Sequence, residues 1–344
     1  MNDAQPTVSV VVPCRNERKH IEACVSSILA QQSPPGGFEV IVADGMSDDG
    51  TREILQGLAR RDPRLRVEDN PGRTTPRAMN AGIRAARGSF IAIMGAHNRY
   101  ATDYLQRSVE VLERTGADNV GGAMICEADT WLQRAIAAAH HSPFSVGGAR
   151  WHNPNYEGPS DTVFGGVYRR EVFTRIGLFD EELTRNQDDE LNLRLTRAGG
   201  KIWQSPAIQS WYRPRASLGA LFRQYMQYGY WKVRVIQKHK IPASVRHLVP
   251  AGFVLLLIVL PLVALGWRPS GWAWLGLLAT YLVCNLGASV LTAARHGWKL
   301  FPVLPAVFVC YHIGYGYGFL LGIWDFLVVR RAPATSFTKL TRTS

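Results

Sequence analysis

The sequence predicts an α/β domain with a mainly parallel sheet, followed by C-terminal transmembrane helices. Short β-branched runs alternate with helix-periodic stretches from Val8 to about Arg114, which is the pattern of strands joined by helical crossovers. Three uncharged stretches follow, Leu248–Gly266, Gly271–Ala294 and Phe301–Trp324, each long enough to cross a hydrocarbon core of about 30 Å. Charge is split between the two parts. Residues 1–190 hold 21 Lys+Arg and 26 Asp+Glu, whereas 191–344 hold 18 Lys+Arg and one acid, Asp325. So basic a half points to a polyanion, nucleic acid or anionic lipid. Because that charge flanks apolar spans, the partner expected is a membrane and not nucleic acid. Trp267, Trp272, Trp274, Trp298 and Trp324 stand at the span ends, where amphipathic rings prefer the headgroup layer.

Taken in order, Val8–Val12 reads as a buried strand. Residues 17–31 carry Ile21, Cys24, Val25, Ile28 and Leu29 at helical spacing. Phe38–Ala43 is the second strand, Thr51–Arg61 a helix, Leu65–Val67 a short strand and Thr75–Ala86 a helix. Phe90–Met94 is the fourth strand and Thr102–Arg114 its following helix. Ligands of such sheets bind past the carboxyl ends of the strands. Three ends are therefore candidates: Pro13–Glu17, Asp44–Gly50 and Gly95–His97.

Beyond the domain, Leu218, Leu221, Phe222, Tyr225, Tyr228, Trp231 and Val235 form one helical stripe, with Arg223, Lys232, Arg234 and Lys238 elsewhere. A basic amphipathic helix before a first span is expected to lie in the interface; an ordinary helix packed on protein is the other reading. The expected organisation is a cytoplasmic domain over 1–215, interface helices over 216–247, a membrane segment over 248–329 and a basic tail over 330–344. Met1–Pro6 has no charged-then-apolar leader, so the domain is expected on the cytoplasmic side of a multi-pass protein of the inner (plasma) membrane. Two spans return Arg295 and Lys299 inside, as the positive-inside rule prefers. A third would put Arg330 and Arg331 outside, against that rule. The Pro302, Pro305 and Gly314–Gly318 breaks allow a re-entrant or interfacial segment instead, and the sequence leaves both open. The five cysteines form no Cys-x-x-Cys pair and read as reduced structural thiols.

Two acidic clusters carry possible chemistry. Asp44, Asp48 and Asp49 follow the second strand, suited to a nucleobase, ribose hydroxyls or a cation, or simply to a turn. Asp188, Asp189 and Glu190 open a helix, where carboxylates favour the positive dipole end. Three in a row exceed a cap's need, and their mutual repulsion can raise one pKa toward that of a general base.

Val8–Glu17, Val40–Thr51, Pro76–Gly82, Gly165–Arg170, Ile176–Glu181 and Gln187–Leu191, in that order, resemble the motifs of family 2 inverting glycosyltransferases. The resemblance covers about residues 7–240 and is closest to succinoglycan-type exopolysaccharide glycosyltransferases, including Arg223–Gly229 before the membrane segment. It implies the GT-A fold, a Rossmann-like mixed sheet that takes nucleotide-diphospho-sugars, usually with UDP. It also implies a lipid-linked or polysaccharide acceptor in exopolysaccharide or cell-envelope glycan synthesis. By the same resemblance, Asp188 is the catalytic base, and Pro13, Arg15, Glu17, Asp44, Asp48 and Asn80 bind the donor. Gly165, Gly166, Asp189, Arg223 and Tyr228 contact acceptor or diphosphate. A divalent cation, Mn²⁺ or Mg²⁺, is implied at the fourth strand's end. There the family's acidic residue is replaced by Gly95, leaving His97 as the metal ligand, a donor better suited to Mn²⁺ than to Mg²⁺. That departure raises a second reading, a catalytically silent relative that binds nucleotide-sugar or glycolipid and scaffolds an assembly. A dinucleotide oxidoreductase ranks last, because Pro13–Glu17 stands where a Gly-x-Gly-x-x-Gly turn belongs.

Overall fold

The computed structural model describes residues 5–96, 98–242 and 244–338, with Thr335 in its backbone only. In chain order the elements are β1 (Val8–Cys14), α1 (Ile21–Leu29), β2 (Phe38–Asp44), α2 (Thr51–Arg61), β3 (Leu65–Asp69), α3 (Thr75–Ala85), β4 (Phe90–Ile93), β5 (Arg99–Tyr100) and α4 (Tyr104–Thr115). Then come β6 (Asn119–Gly122), β7 (Met124–Cys126), α5 (Trp131–His140), α6 (Pro143–Val146), β8 (Gly158–Pro159), β9 (Phe164–Arg169), α7 (Arg170–Ile176), α8 (Gln187–Arg197), β10 (Ile202–Gln204) and β11 (Ser210–Tyr212). Last are α9 (Leu218–His239), α10 (Val249–Val263), α11 (Pro269–His296), α12 (Leu304–Ile323) and α13 (Thr335–Thr338).

The chain divides into two compact units, one of residues up to 125 with 150–213, the other of 126–149 with 214–343. The first holds an eight-stranded sheet in the order β3-β2-β1-β4-β9-β6-β10-β8. Strands β1 to β4 pair in parallel, as their continuous apolar runs require. The sheet is mixed where the sequence alone suggested mainly parallel, because β9 runs antiparallel between β4 and β6. That reversal brings the start of β9, with Gly165 and Gly166, to the edge where β1, β2, β4 and β6 end. Val10, Val12, Val40, Val42 and Ala92 face one core layer; Val11, Ile41 and Ile91 face the other. A small sheet β5-β11-β7 completes the unit.

One buried charge network ties the sheet's opposite edge. Glu39, 3% exposed, accepts from Ser9 Oγ at 2.7 Å and from Arg87 N at 2.8 Å, and pairs with Arg66 and Arg87 at 3.1 Å each. Burial by itself would raise its pKa. The hydrogen bonds from Ser9 and the Arg87 amide, with the two guanidinium charges, outweigh burial and hold it below the ordinary carboxylate value. Its stabilisation is therefore complete above the unfolded carboxylate pKa of about 4.3 and is lost as pH falls through the lower folded value. Glu39→Gln should cost about 3 kcal/mol at neutral pH and flatten the acid side of the stability profile. Thermal unfolding in detergent against pH measures both.

The second unit is helical. α9 and α12 pack in parallel through glycines. A Cβ on Gly229 would stand 2.0 Å from Tyr315 O, and one on Gly318 1.9 Å from Met226 O. The Gly314–Gly318 run thus sits inside a continuous helix as a close-packing surface rather than as a break. On α9, Lys232 is 3% exposed, although the sequence placed it on the polar face. Three helical segments, Val245–Val263, Pro269–His296 and Leu304–Val329, are long and apolar enough to cross a membrane.

Candidate active site

The loops after β1 and β2 interlock. Gly45 N donates to Cys14 O at 2.8 Å, and a side chain at Gly45 would meet that of Arg15 at 3.0 Å. Asn16 and Asp48 exchange bonds, Asn16 Nδ2 to Asp48 Oδ1 at 2.9 Å and Asp48 N to Asn16 Oδ1 at 3.1 Å. Glu17 N donates to Thr51 Oγ1 at 2.8 Å. Pro13 lies opposite Ala43 in the β1–β2 register. The predicted donor residues Pro13, Arg15, Glu17 and Asp48 therefore share one loop pair at the sheet edge.

Asp44 stands apart from them in exposure. It is fully buried, and its carboxylate accepts from Ser47 N at 3.1 Å, Ser47 Oγ at 2.5 Å and Arg52 Nη1 at 3.1 Å. Arg52 also pairs with Asp69, so it bridges the ends of β2 and β3. Asn80 is 1% exposed and holds a remote turn to α3 by both amide ends. Its Nδ2 donates to Phe179 O at 2.9 Å and its Oδ1 accepts from Phe179 N at 3.0 Å. Sequence reasoning did not single out Ser47 or Arg52. Arg52 could have been found as the first cation on the helix after an acidic strand end.

At the β4 end, Tyr100 OH accepts from Gly95 N at 2.7 Å and from Asn98 Nδ2 at 3.3 Å. Tyr104 packs edge-on against Tyr100 and donates to Gly165 O. Gly165 has φ +64°, and a Cβ there would lie 2.7 Å from Tyr104 OH; one on Gly166 would lie 2.7 Å from Asn119 Oδ1. Both glycines are thus demanded by close approach, and two tyrosines missed in the sequence fix the β4 end to the β9 start. A Cβ at Gly95 would be 3.0 Å from the Asn98 amide. Gly95 and Ala96 bring no donor atom, and no group of three His, Cys, Asp or Glu side chains among the described residues is placed to hold a metal ion. The described residues at this strand end do not compose a metal site by themselves. His97 lies outside the described residues.

α8 opens on Asn186, which is in the left-handed region at φ 60°. The helix leads through residues 198–201 into β10, parallel to β6. Its first turn therefore points toward the edge where β1, β2 and β4 end. The three carboxylates there divide by environment. Glu190 is buried and chelates Arg194 at 2.7 and 2.8 Å, and Arg194 in turn holds Leu178 O at 2.7 Å. Asp189 is half-buried and Asp188 exposed. Beneath them lies a buried polar network: Asn192 Oδ1 accepts from Asn119 Nδ2 at 3.0 Å and Asn192 Nδ2 donates to Thr162 Oγ1 at 2.8 Å. Tyr168 joins it through Asn192 at 3.4 Å. Its pKa is raised, first by burial and then by the charge of Asp188. Arg223 and Tyr228 belong to the second unit, on α9; Tyr228 OH accepts from Gln224 Nε2 at 2.9 Å.

A mixed sheet with interlocked loops past β1 and β2, glycines at the reversed strand and a carboxylate-headed helix defines a glycosyltransferase of the GT-A fold. The chain belongs to glycosyltransferase family 2. The family profile, Glycosyl transferase family 2, matches residues 9–177. The succinoglycan biosynthesis protein ExoA of Rhizobium meliloti (strain 1021) is 32% identical over 92% of this chain and 95% of its own length. A Methanococcus voltae enzyme, dolichyl N-acetyl-alpha-D-glucosaminyl phosphate 3-beta-D-2,3-diacetamido-2,3-dideoxy-beta-D-glucuronosyltransferase, is 27% identical over 92% of this chain and 97% of its own length. Among solved structures, the mannosyltransferase PcManGT of Pyrobaculum calidifontis, in complex with GDP-Man and Mn²⁺, superposes with a TM-score of 0.59 at 20% identity, covering 92% of this chain and 87% of that one. That likeness bears on the fold.

Proposed function

We propose that this glycosyltransferase moves a hexose from a nucleoside diphosphate sugar, UDP-linked, to a lipid-linked or polysaccharide acceptor at the cytoplasmic face of the plasma membrane, in exopolysaccharide or cell-envelope glycan synthesis. The observation that carries the reading is the division of labour in the first turn of α8. Glu190 is buried and paired with Arg194, and Asp188 stands exposed in the first turn of the helix, over a buried polar network. A carboxylate so placed can take the proton of an acceptor hydroxyl as its oxygen attacks the anomeric carbon and the diphosphate departs. One base and one displacement invert the configuration at that carbon.

Pro13, Arg15, Glu17 and Asp48 contact the base and ribose, while Asp44 and Asn80 act through the loops they hold. Gly165, Gly166 and Asp189 line the acceptor or diphosphate side. The relatives' part in exopolysaccharide and dolichyl-linked glycan synthesis, and three membrane-compatible helices, support the acceptor class. The decisive test is release of UDP by membranes containing the protein, offered a panel of UDP-sugars and lipid-linked acceptors with Mn²⁺ or Mg²⁺. No release with any donor would sink the reading.

For the cation, we propose His97 as the residue that would hold it. A cation held there would supply positive charge to the leaving diphosphate. His97→Ala should weaken Mn²⁺ binding to the donor-loaded protein by about tenfold or more, read by EPR titration of free Mn²⁺ alongside activity. Unchanged Mn²⁺ affinity removes His97 from the ligand set.

A further inference from the structure

The second unit bears on a question the sequence leaves open, namely which of its three apolar helices crosses the bilayer. α9 and α12 run side by side in one direction, and the contacts keep a constant sequence offset. Gly314 approaches Phe222, Gly318 approaches Met226, Gly322 approaches Tyr230, and Arg234 stacks over Phe326 at 5.6 Å. The two helices therefore occupy the same depth along their whole shared length. If Leu304–Val329 spanned the bilayer, its midpoint would stand level with Arg223, Gln224 and Gln227 of α9. Arg223 is exposed, and would be held against lipid at the hydrocarbon centre. Such placement of charge is costly and is avoided unless a cavity or partner receives it.

The other side of α12 tells the same story. Its N-terminal half packs on the insertion that carries α5 and α6. Tyr311 OH donates to Ile136 O at 3.5 Å, His312 Nε2 bonds Phe144 O at 2.8 Å, and Phe144 stacks edge-on with Phe308 at 5.2 Å. That insertion contains Glu127, Asp129, Arg134 and His141. At its far end the chain turns back at Arg330, φ 57°. The tail then returns onto α9: Phe337 stacks on Tyr230 at 3.9 Å and its carbonyl accepts from Trp231 Nε1 at 3.0 Å. Half of the α12 apolar window is buried inside the protein, against 11% for the α10 segment and 22% for α11. The α10–α11 pair is different. Trp274 Nε1 donates to Leu257 O at 3.2 Å, closing a hairpin, while Leu255, Leu262, Trp272, Leu282 and Val283 face outward. At 28 residues α11 is about 42 Å long, more than a crossing requires. One face of its last turns, Ser289, Thr292 and Ala293, is buried.

We propose that only the α10–α11 hairpin crosses the bilayer, and that α9 and α12 lie together as a paired helical surface in the headgroup layer of one leaflet, facing anionic lipid. This rests on the membrane reading of the preceding section. It makes the number of crossings even and returns the C-terminus to the side of α9. Arg330 and Arg331 then fall on the same side as Arg295 and Lys299, which removes the conflict with the positive-inside rule.

The test has two stages. Extraction of membranes at alkaline pH comes first. Release of the protein into the supernatant overturns the membrane reading itself, and this proposal with it. If the protein stays in the pellet, single cysteines at Arg268→Cys, Lys299→Cys and a position appended after Ser344 are probed with an impermeant thiol reagent, in a background with the five native cysteines changed to serine. Only Arg268→Cys should react in intact spheroplasts, and all three after lysis. A parallel pair of C-terminal fusions to the unaltered chain, one reporter active only in the cytoplasm and one only outside, guards against a folding failure of the cysteine-free background. An externally active or externally labelled C-terminus overturns the interfacial placement of α12. An Arg268→Cys that never reacts from outside overturns the hairpin crossing.

Discussion

Asp188→Asn should lower turnover by about 10²–10⁴-fold while leaving donor binding, measured by UDP displacement, unchanged. Asparagine keeps the size and the helix-start position but cannot accept the proton. The loss should thus fall equally on kcat and kcat/KM, the mark of an interaction made only in the transition state. The neighbouring carboxylates provide the contrast. Glu190→Gln breaks the bidentate pair with Arg194, which anchors the carbonyls of Ile176 and Leu178. It should cost stability by about 3 kcal/mol and show itself in thermal unfolding. Full activity in Asp188→Asn would move the base to another residue, with Asp189 the first to examine.

Gly318→Leu should be the most destabilising single change in the helical unit. A Cβ at this position would lie 1.9 Å from Met226 O and 2.6 Å from its carbonyl carbon. Backbone cannot yield as a side chain can, so α9 and α12 must separate. Overpacking a close contact costs about 1–3 kcal/mol and more where the backbone has to move. Gly276→Leu, on α11 where nothing lies within 4 Å, should be neutral in the same assay. The pair of variants, compared by thermal unfolding in detergent and by retention of activity, separates a packing surface from a general intolerance of bulk. Equal behaviour of the two would remove the glycine packing as the reason for the Gly314–Gly318 run.

Much of the first unit was legible from local pattern. The strands at Val8, Phe38 and Phe90 and the helices between them lie where their periodicity put them, within a few residues. β9 was not legible as a strand. Gly165 and Gly166 erase its apolar alternation, and the reasons for them lie elsewhere in the chain, Tyr104 for Gly165, 61 residues away, and Asn119 for Gly166. Of the acidic clusters, the sequence located both but could not sort their members. Asp44 and Glu190 are buried and paired with Arg52 and Arg194, and Asp188 is exposed. Nothing in the residues themselves distinguishes these carboxylates; only how deeply the fold buries each one does.

The sequence by itself determined the kind of protein: an α/β glycosyltransferase domain joined to apolar helices, with its candidate residues gathered at strand ends and one helix start. Composition and period are local quantities, and these features are local. The tertiary structure alone decided that β9 reverses to bring its glycines to the active edge. It alone gave Gly314 and Gly318 a packing role against α9 and Gly316 one against Pro250 of α10, instead of leaving α12 as one more isolated apolar span. Both depend on backbones that approach within van der Waals contact across long stretches of chain, and no window of sequence contains both partners.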